Sequence, residues 1–149
     1  MQEQIDRDLK AAMLGGDKAK TEVLRGLKGA ILNEVISSGA RESGLNDEQI
    51  QKVLAREAKK RTEAAELYKK AGADDRAEAE LSEKRIIEAY LPEQLSEADI
   101  TASVSEEISR LDSPTLADMG KIIGAVKAKF GAQADGAIIA KIVKEKLSK

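Results

Sequence analysis

Helical periodicity is clearest in DMGKIIGAVKAKF (residues 118–130) and ADGAIIAKIVKEKL (residues 134–147). In both segments the apolar residues recur every three or four positions, which is the pattern of an amphipathic helix. The polar positions are rich in lysine from residue 118 onward: Lys121, Lys127, Lys129, Lys141, Lys144, Lys146 and Lys149. Three acidic residues accompany these seven lysines, so this region carries a net charge of +4. The sequence therefore predicts two basic helices joined by a short turn.

The composition favours an all-α protein. Of the 149 residues, 35% are charged, two are proline and none is tryptophan. Such a composition favours helices over sheets. Cysteine and histidine are both absent, which excludes a disulfide framework, a thiolate zinc site and catalysis by a histidine base. We expect neither a metal nor a cofactor.

Two helices are predicted before residue 40. The first ends at the glycine pair 15–16, and the second follows Asp17, which can cap it. Two glycines of the second helix, Gly26 and Gly29, lower its intrinsic stability by about 1 kcal/mol each relative to alanine. We expect glycine at these positions to permit close contact with another helix.

A long helical hairpin is predicted between Asn46 and Pro92. Its first helix begins in a capping box at Asn46 and runs to about Ala71. Its second helix extends from about Asp74 to Leu91 and ends there, because a proline cannot continue a helix.

Pro92 also marks a candidate domain boundary. After it, Ser96, Thr115 and Asp135 have the spacing of helix caps and predict three more helices. We therefore predict an N-terminal lobe of about four helices at 1–93 and a C-terminal three-helix domain at 94–149.

The first helix of the hairpin has an unusual inward face. Six residues fall on one helical stripe: Ile50, Leu54, Glu57, Arg61, Ala64 and Tyr68. This spacing places Glu57 and Arg61 one turn apart, where they can form an i, i+4 ion pair. Two interpretations remain open for Glu57, Arg61 and Tyr68. They form either an interaction or ligand site, or a structural feature, namely a partly buried salt bridge or a solvated rim.

The order of these segments resembles that of a known family, the YqeY-like proteins. The same C-terminal domain occurs in the tail of the GatB subunit of the bacterial tRNA-dependent amidotransferase. Besides the two basic helices, the resemblance rests on three segments: VLRGLKGAILNEVI (23–36), LAREAKKRTEAAELYKKAG (54–72) and EAYLPEQLSE (88–97). It covers nearly the whole chain.

The resemblance implies that the basic helices hold tRNA by its folded body. Lysines and glycines suit this role, because glycine lets the backbone approach a phosphate. The predicted tRNA-binding residues are Gly120, Lys121, Gly124, Lys127, Lys129, Asp135, Gly136, Lys141 and Lys144. By spacing alone, Gly120 and Gly124 could instead allow a neighbouring helix to pack closely. Many relatives have a basic residue before the alanine-aspartate pair, and here that position is Gln133.

The family label is a carbon–nitrogen ligase that uses glutamine as amido donor. Such chemistry needs a glutaminase and an ATP site, and the sequence shows neither a glutaminase signature nor a Walker loop. We predict no catalytic residue and an accessory tRNA-binding role in tRNA-dependent amidation. The alternative is a protein-interaction adaptor that docks through its N-terminal helices onto the amidation or translation machinery. With no membrane span and no secretory signal in the sequence, we expect a cytoplasmic protein.

Overall fold

The computed structural model describes residues 1–148, apart from the side chain of Ala132. Lys149, one of the seven lysines noted above, lies outside the described residues. The described residues form seven α-helices and no strand, which confirms the all-α prediction. The helices are α1 (Gln2–Leu14), α2 (Lys18–Ser37), α3 (Asp47–Lys70), α4 (Asp74–Glu88), α5 (Glu97–Ser109), α6 (Met119–Phe130) and α7 (Gly136–Leu147). Short 3-10 turns at Leu116–Asp118 and Gly131–Gln133 flank α6.

The chain divides into two compact units, the first of residues 1–91 and the second beginning at Pro92. Each has its own apolar core. The core of the first unit contains Ile5, Val23, Leu24, Leu27, Ile31, Ile50, Val53, Leu54, Ala58 and Ile87. The core of the second unit contains Ile100, Val104, Ile122, Val126, Ala134, Ile139, Ile142 and Val143. Every helix thus buries part of an apolar stripe in the core of its own unit. The assignment of 1–93 and 94–149 as separate domains stays a prediction.

The helical hairpin of the first unit consists of α3 and α4, which form its most extensive helix pair. Asn46 caps α3 in a reciprocal capping box with Gln49, with hydrogen bonds of 2.8 and 2.9 Å. The turn between the helices passes through Gly72, whose φ is +75°. A side chain would strain that backbone conformation, so glycine is required there. The capping-box prediction is confirmed.

The end of α4 lies three residues earlier than predicted. The helix ends at Glu88 rather than Leu91, and the next residues form a tighter turn. In this turn the Tyr90 amide donates to the Ile87 carbonyl at 3.1 Å and the Leu91 amide to the Glu88 carbonyl at 3.0 Å. The reason is steric, because the Pro92 ring would clash with the carbonyl four residues earlier, that of Glu88, and Pro92 has no amide hydrogen to donate to it.

The prediction that Gly26 and Gly29 permit close helix contact is wrong within this chain. Both glycines are exposed, and a Cβ atom at either position would meet no atom of another described segment within 4 Å. They lie away from the α2 stripe of Leu24, Leu27 and Ile31, which is the face that packs in the core.

A side-chain hydrogen bond joins the two ends of the first unit. The hydroxyl of Tyr90, just after α4, donates to the carboxylate of Asp8 on α1. These residues are 82 positions apart in the sequence. The bond therefore ties the end of the hairpin to α1.

In the second unit, α6 packs against both α5 and α7. The three predicted caps are present. Ser96 accepts the Asp99 amide at 3.2 Å, Thr115 accepts the Ala117 amide at 3.3 Å, and Asp135 accepts the Ala137 amide at 2.8 Å. Among the described residues, no helix is long and apolar enough to cross a membrane.

Candidate nucleic-acid interface

One flank of α6 is open and carries no large side chain near its start. Gly120, Gly124 and Lys127 share this flank, because residues three and four positions apart are neighbours on a helix. All three residues are exposed, and a Cβ atom at either glycine would meet no described atom within 4 Å beyond its chain neighbours and the backbone of its own helix. The core side chains of α6, Ile122 and Val126, point elsewhere. Among residues 1–148, no neighbouring helix therefore packs on these glycines, which contradicts the alternative explanation for their presence.

The start of α7 lies under the side chain of Lys127. A Cβ atom at Gly136 would stand 3.0 Å from Nζ of Lys127 and 3.1 Å from its Cε atom. Asp135, the preceding residue, caps α7 through the 2.8 Å bond from the Ala137 amide. The structure thus brings together Lys127, Asp135 and Gly136, three of the predicted site residues. Because a helix N-terminus carries partial positive charge, a lysine ammonium beside it strengthens the local attraction for an anion.

Three further predicted lysines are exposed on the same helix pair. Lys121 lies in the first turn of α6, and Lys141 and Lys144 lie on α7. Lys141 and Lys144 share the exposed flank of α7, since they are three residues apart. Within residues 1–148, none of the three forms an ion pair with a carboxylate. Their charges are therefore available to an external anion.

Lys129 is separated from this group. It lies about 200° around α6 from Lys127, because an α-helix has 3.6 residues per turn. There it forms an ion pair of 3.4 Å with Glu106 of α5, and its Nζ lies 5.2 Å from the centre of the Phe130 ring. Of the predicted lysines, Lys129 is thus directed at α5 and away from the Gly120 flank.

The predicted ion pair between Glu57 and Arg61 does not form. Glu57 pairs with Lys60 at 2.9 Å, and Arg61 pairs across the hairpin with Glu83 and, at 3.3 Å, with Glu80. All three members of the Arg61 cluster are less than a third exposed. Arg61 faces α4, which presents the carboxylates of Glu80 and Glu83 to its guanidinium. It pairs with these two groups in place of Glu57 on its own helix.

Tyr68 lies on the same hairpin, close to the turn. The guanidinium of Arg76 on α4 lies 6.0 Å from the centre of its ring. Arg61 and Tyr68 therefore both make contacts between α3 and α4. These contacts favour the structural interpretation of this face, and its use as an interaction surface stays a prediction.

The structure also shows a cleft that the sequence did not reveal. It lies between α5 and the end of α6 and is lined by Asp99, Ser103, Glu106, Lys129, Phe130 and two smaller apolar residues. The sequence predicted a helix capped by Ser96, but the cleft residues of this helix lie beside its buried apolar residues Ile100 and Val104. The local sequence signal for this cleft was weak: a polar residue, Ser103, stands directly before the apolar Val104.

These observations define the class of the protein. It is a small all-α protein in two units, and the second unit presents exposed lysines on α6 and α7 that have no carboxylate partner among the described residues. The family is equally clear. The chain belongs to the YqeY-like protein family, since the model of that family matches residues 2–147. The match includes helices of both units. No curated protein matches the chain.

Proposed function

We propose that this protein is an accessory tRNA-binding protein, related to tRNA-dependent amidation and not catalytic by itself. The observation that carries the proposal is the open glycine flank of α6 beside Lys127. Since no other part of the chain that the structure describes packs on Gly120 or Gly124, packing among these residues does not explain why the two positions lack a side chain. A backbone that must approach a phosphate closely does explain it.

The electrostatics of α6 and α7 support the same proposal. Lys121, Lys127, Lys141 and Lys144 are exposed and without carboxylate partners among the described residues. Lysines of this kind neutralise phosphates and release counterions from the nucleic acid, which is the main source of sequence-independent affinity. The whole chain carries a net charge of −2, so long-range attraction is weak and binding depends on this local surface.

Fluorescence anisotropy with labelled tRNA tests the proposal. The double variant Lys121→Glu/Lys127→Glu should weaken binding by at least tenfold, because it reverses two charges at the phosphate surface. The matched control is Lys59→Glu/Lys70→Glu, which makes the same charge change at exposed positions of the first unit. Equal affinity of the two double variants for tRNA would refute the proposed surface.

A second candidate function is a protein-interaction adaptor. Leu32 and Ile36 of α2 are 57% and 47% exposed and lie one turn apart. Gly29, also exposed, lies on the same side of the helix. The test is a pull-down with nuclease-treated extract. The amount of a defined protein partner that the wild type recovers is compared with the amount recovered by the variant Leu32→Gln/Ile36→Gln. Recovery that survives nuclease and is lost in the variant would favour the adaptor, whereas loss on nuclease treatment alone would favour tRNA binding.

The accessory role implies a protein of the cytoplasm, where tRNA is charged, and we assign it no catalytic residue. Ammonia transfer from glutamine, driven by ATP and performed by the purified chain alone, would contradict this assignment.

A further inference from the structure

The cleft between α5 and α6 has the dimensions of a small-ligand site. Its volume is about 420 Å³. Sites for small molecules in proteins typically have volumes of about 300–1,000 Å³. One part of the lining is apolar, with Leu95, Ala102 and Phe130, and the rest is polar or charged. A ligand for this cleft must therefore combine an apolar stem with a polar end.

The charges of the lining are mainly negative. Asp99 and Glu106 contribute carboxylates, and Lys129 contributes the one cation among the lining residues that the structure describes. Glu106 is already paired, with Arg110 at 2.7 Å and with Lys129 at 3.4 Å. Asp99 differs, since its side chain accepts a 2.8 Å bond from the Ser96 hydroxyl and has no cationic partner among the described residues. The negative lining disfavours a phosphate and favours a cation.

The second observation is a buried polar side chain that lacks a partner. Ser103 lines the cleft and is 4% exposed, and its hydroxyl oxygen makes no hydrogen bond within the described part of the chain. Buried hydroxyl groups nearly always have a partner, because an unsatisfied one is destabilising. Asp99, Ser103 and Glu106 lie four and three residues apart, so they share one flank of α5. A hydroxyl group without a hydrogen bond therefore lies on the same flank as a carboxylate without a cationic partner, within the described part of the chain.

The chain itself shows which chemistry this lining accepts. The ammonium of Lys129 lies 5.2 Å from the centre of the Phe130 ring and pairs with Glu106. An aromatic face and a carboxylate together are a favourable environment for a cation. The Asp99 end of the cleft offers a second carboxylate, and Ser103 adds a hydroxyl acceptor.

We propose that the cleft binds an alkylammonium or guanidinium group, with the cation between Asp99 and Ser103 and its alkyl stem against Leu95 and Phe130. Such a group occurs at the end of a lysine or arginine side chain of a partner protein and in free polyamines. This site is on α5, and its existence does not depend on tRNA binding by α6 and α7.

The test is a titration of the full, isotope-labelled chain followed by amide NMR shifts. The probes are N-acetyl-lysine N-methylamide and N-acetyl-arginine N-methylamide for the side-chain source, and spermidine for the polyamine source. N-acetyl-norleucine N-methylamide, which has a comparable stem without the charge, is the neutral control. We expect at least one cation to give saturable shifts centred on Ser103 and Phe130, and the norleucine probe to give none.

Two variants separate ligand binding from stability. Asp99→Asn should weaken binding of the cation about tenfold, since it removes the charge from a charge-assisted hydrogen bond. Glu97→Gln, an equal change of charge on the same helix outside the cleft lining, should leave the affinity unchanged. Ser103→Ala should weaken binding several-fold while the melting temperature stays equal or rises, because it removes an unsatisfied hydroxyl.

The results that would overturn the proposal are equally specific. They are shifts spread over the acidic surface without saturation, equal affinity of wild type and Asp99→Asn, or saturable binding of a nucleoside monophosphate in place of the cations. Tighter binding of spermidine than of either amino-acid amide would support the site and assign it to polyamines, and the opposite order would assign it to a partner's side chain.

Discussion

The side chain of Lys127 lies across Gly136, with Nζ 3.0 Å from the place that a Cβ atom would occupy. The relationship joins the end of α6 to the first turn of α7 and places an ammonium group next to the N-terminus of that helix. It also explains why glycine suits position 136. A larger residue would displace the lysine from this place.

Gly136→Ala tests the relationship directly. The new methyl group would meet only the flexible end of Lys127, so the free energy of unfolding should change by less than about 1 kcal/mol. The affinity for tRNA should nevertheless fall several-fold, because the ammonium would move away from the α7 N-terminus. Thermal unfolding and anisotropy measure the two effects. An unchanged tRNA affinity would show that the position of this ammonium does not matter.

Gly124→Ala should change stability and binding in opposite directions. Alanine in a helix interior is about 1 kcal/mol more favourable than glycine, and the space beyond Gly124 is open. We therefore expect a higher unfolding free energy together with weaker tRNA binding, because the methyl group keeps the backbone away from a phosphate. Gly29→Ala is the matched control, since it should stabilise α2 to a similar extent and leave tRNA binding unchanged. Weaker binding in both variants would point to an effect unrelated to the α6 flank.

The affinity for tRNA should depend strongly on salt. If Lys121, Lys127, Lys141 and Lys144 each neutralise one phosphate, log K should fall against log salt with a slope of roughly three. Lys127→Ala should reduce the slope by about one, because one phosphate contact is lost. Lys59→Ala should leave it unchanged. A slope near zero for the wild type would exclude phosphate recognition as the source of affinity.

The bond between Tyr90 and Asp8 should stabilise the first unit. Tyr90→Phe removes it and should lower the free energy of unfolding by about 1 kcal/mol. Urea titration at neutral pH measures this loss. Lys10→Ala, an exposed change on α1 with no ion pair among the described residues, is the control and should have a smaller effect.

The same bond predicts a dependence on pH. The hydrogen bond from Tyr90 lowers the pKa of Asp8 below its ordinary value of 3.8. A lowered folded-state pKa stabilises the protein above the unfolded value, and this contribution is lost as the pH falls through the acidic range below about 4. Burial and the bond to Asp8 raise the pKa of Tyr90 above its ordinary value, so stability is also lost as the pH rises past about 10. In Tyr90→Phe, the free energy of unfolding should therefore depend less on pH in both the acidic and the basic range. An unchanged pH dependence would contradict this explanation.

The Arg61 cluster should contribute more to stability than an exposed ion pair. Arg61→Ala leaves Glu80 and Glu83, both less than a third exposed, without their cation, so we expect a loss of about 1–2 kcal/mol. Arg56→Ala breaks a more exposed pair with Glu34 and should cost about 0.5 kcal/mol or less. If denaturant titrations gave equal losses of unfolding free energy for the two variants, partial burial would not strengthen the contribution of the Arg61 cluster.

The sequence alone determined the helices and most of their ends. The helix ends depend on contacts within a few residues, such as the reciprocal hydrogen bonds of Asn46 and Gln49. The helices themselves are indicated by apolar residues that recur every three or four positions and form one buried face. Even the shortened end of α4 has a local cause in Pro92. The resemblance to the YqeY-like family also rests on linear motifs, so the sequence sufficed for it.

Only the tertiary structure decided which partner each polar side chain meets. Arg61 has Glu57 one turn away, but α4 brings two carboxylates closer, and this choice depends on how the hairpin closes. The openness of Gly124, the position of Lys127 over Gly136 and the unpaired Ser103 follow from packing between helices. The physical reason is that backbone hydrogen bonding acts over a few residues, whereas side-chain contacts depend on distances between segments that are far apart in the sequence.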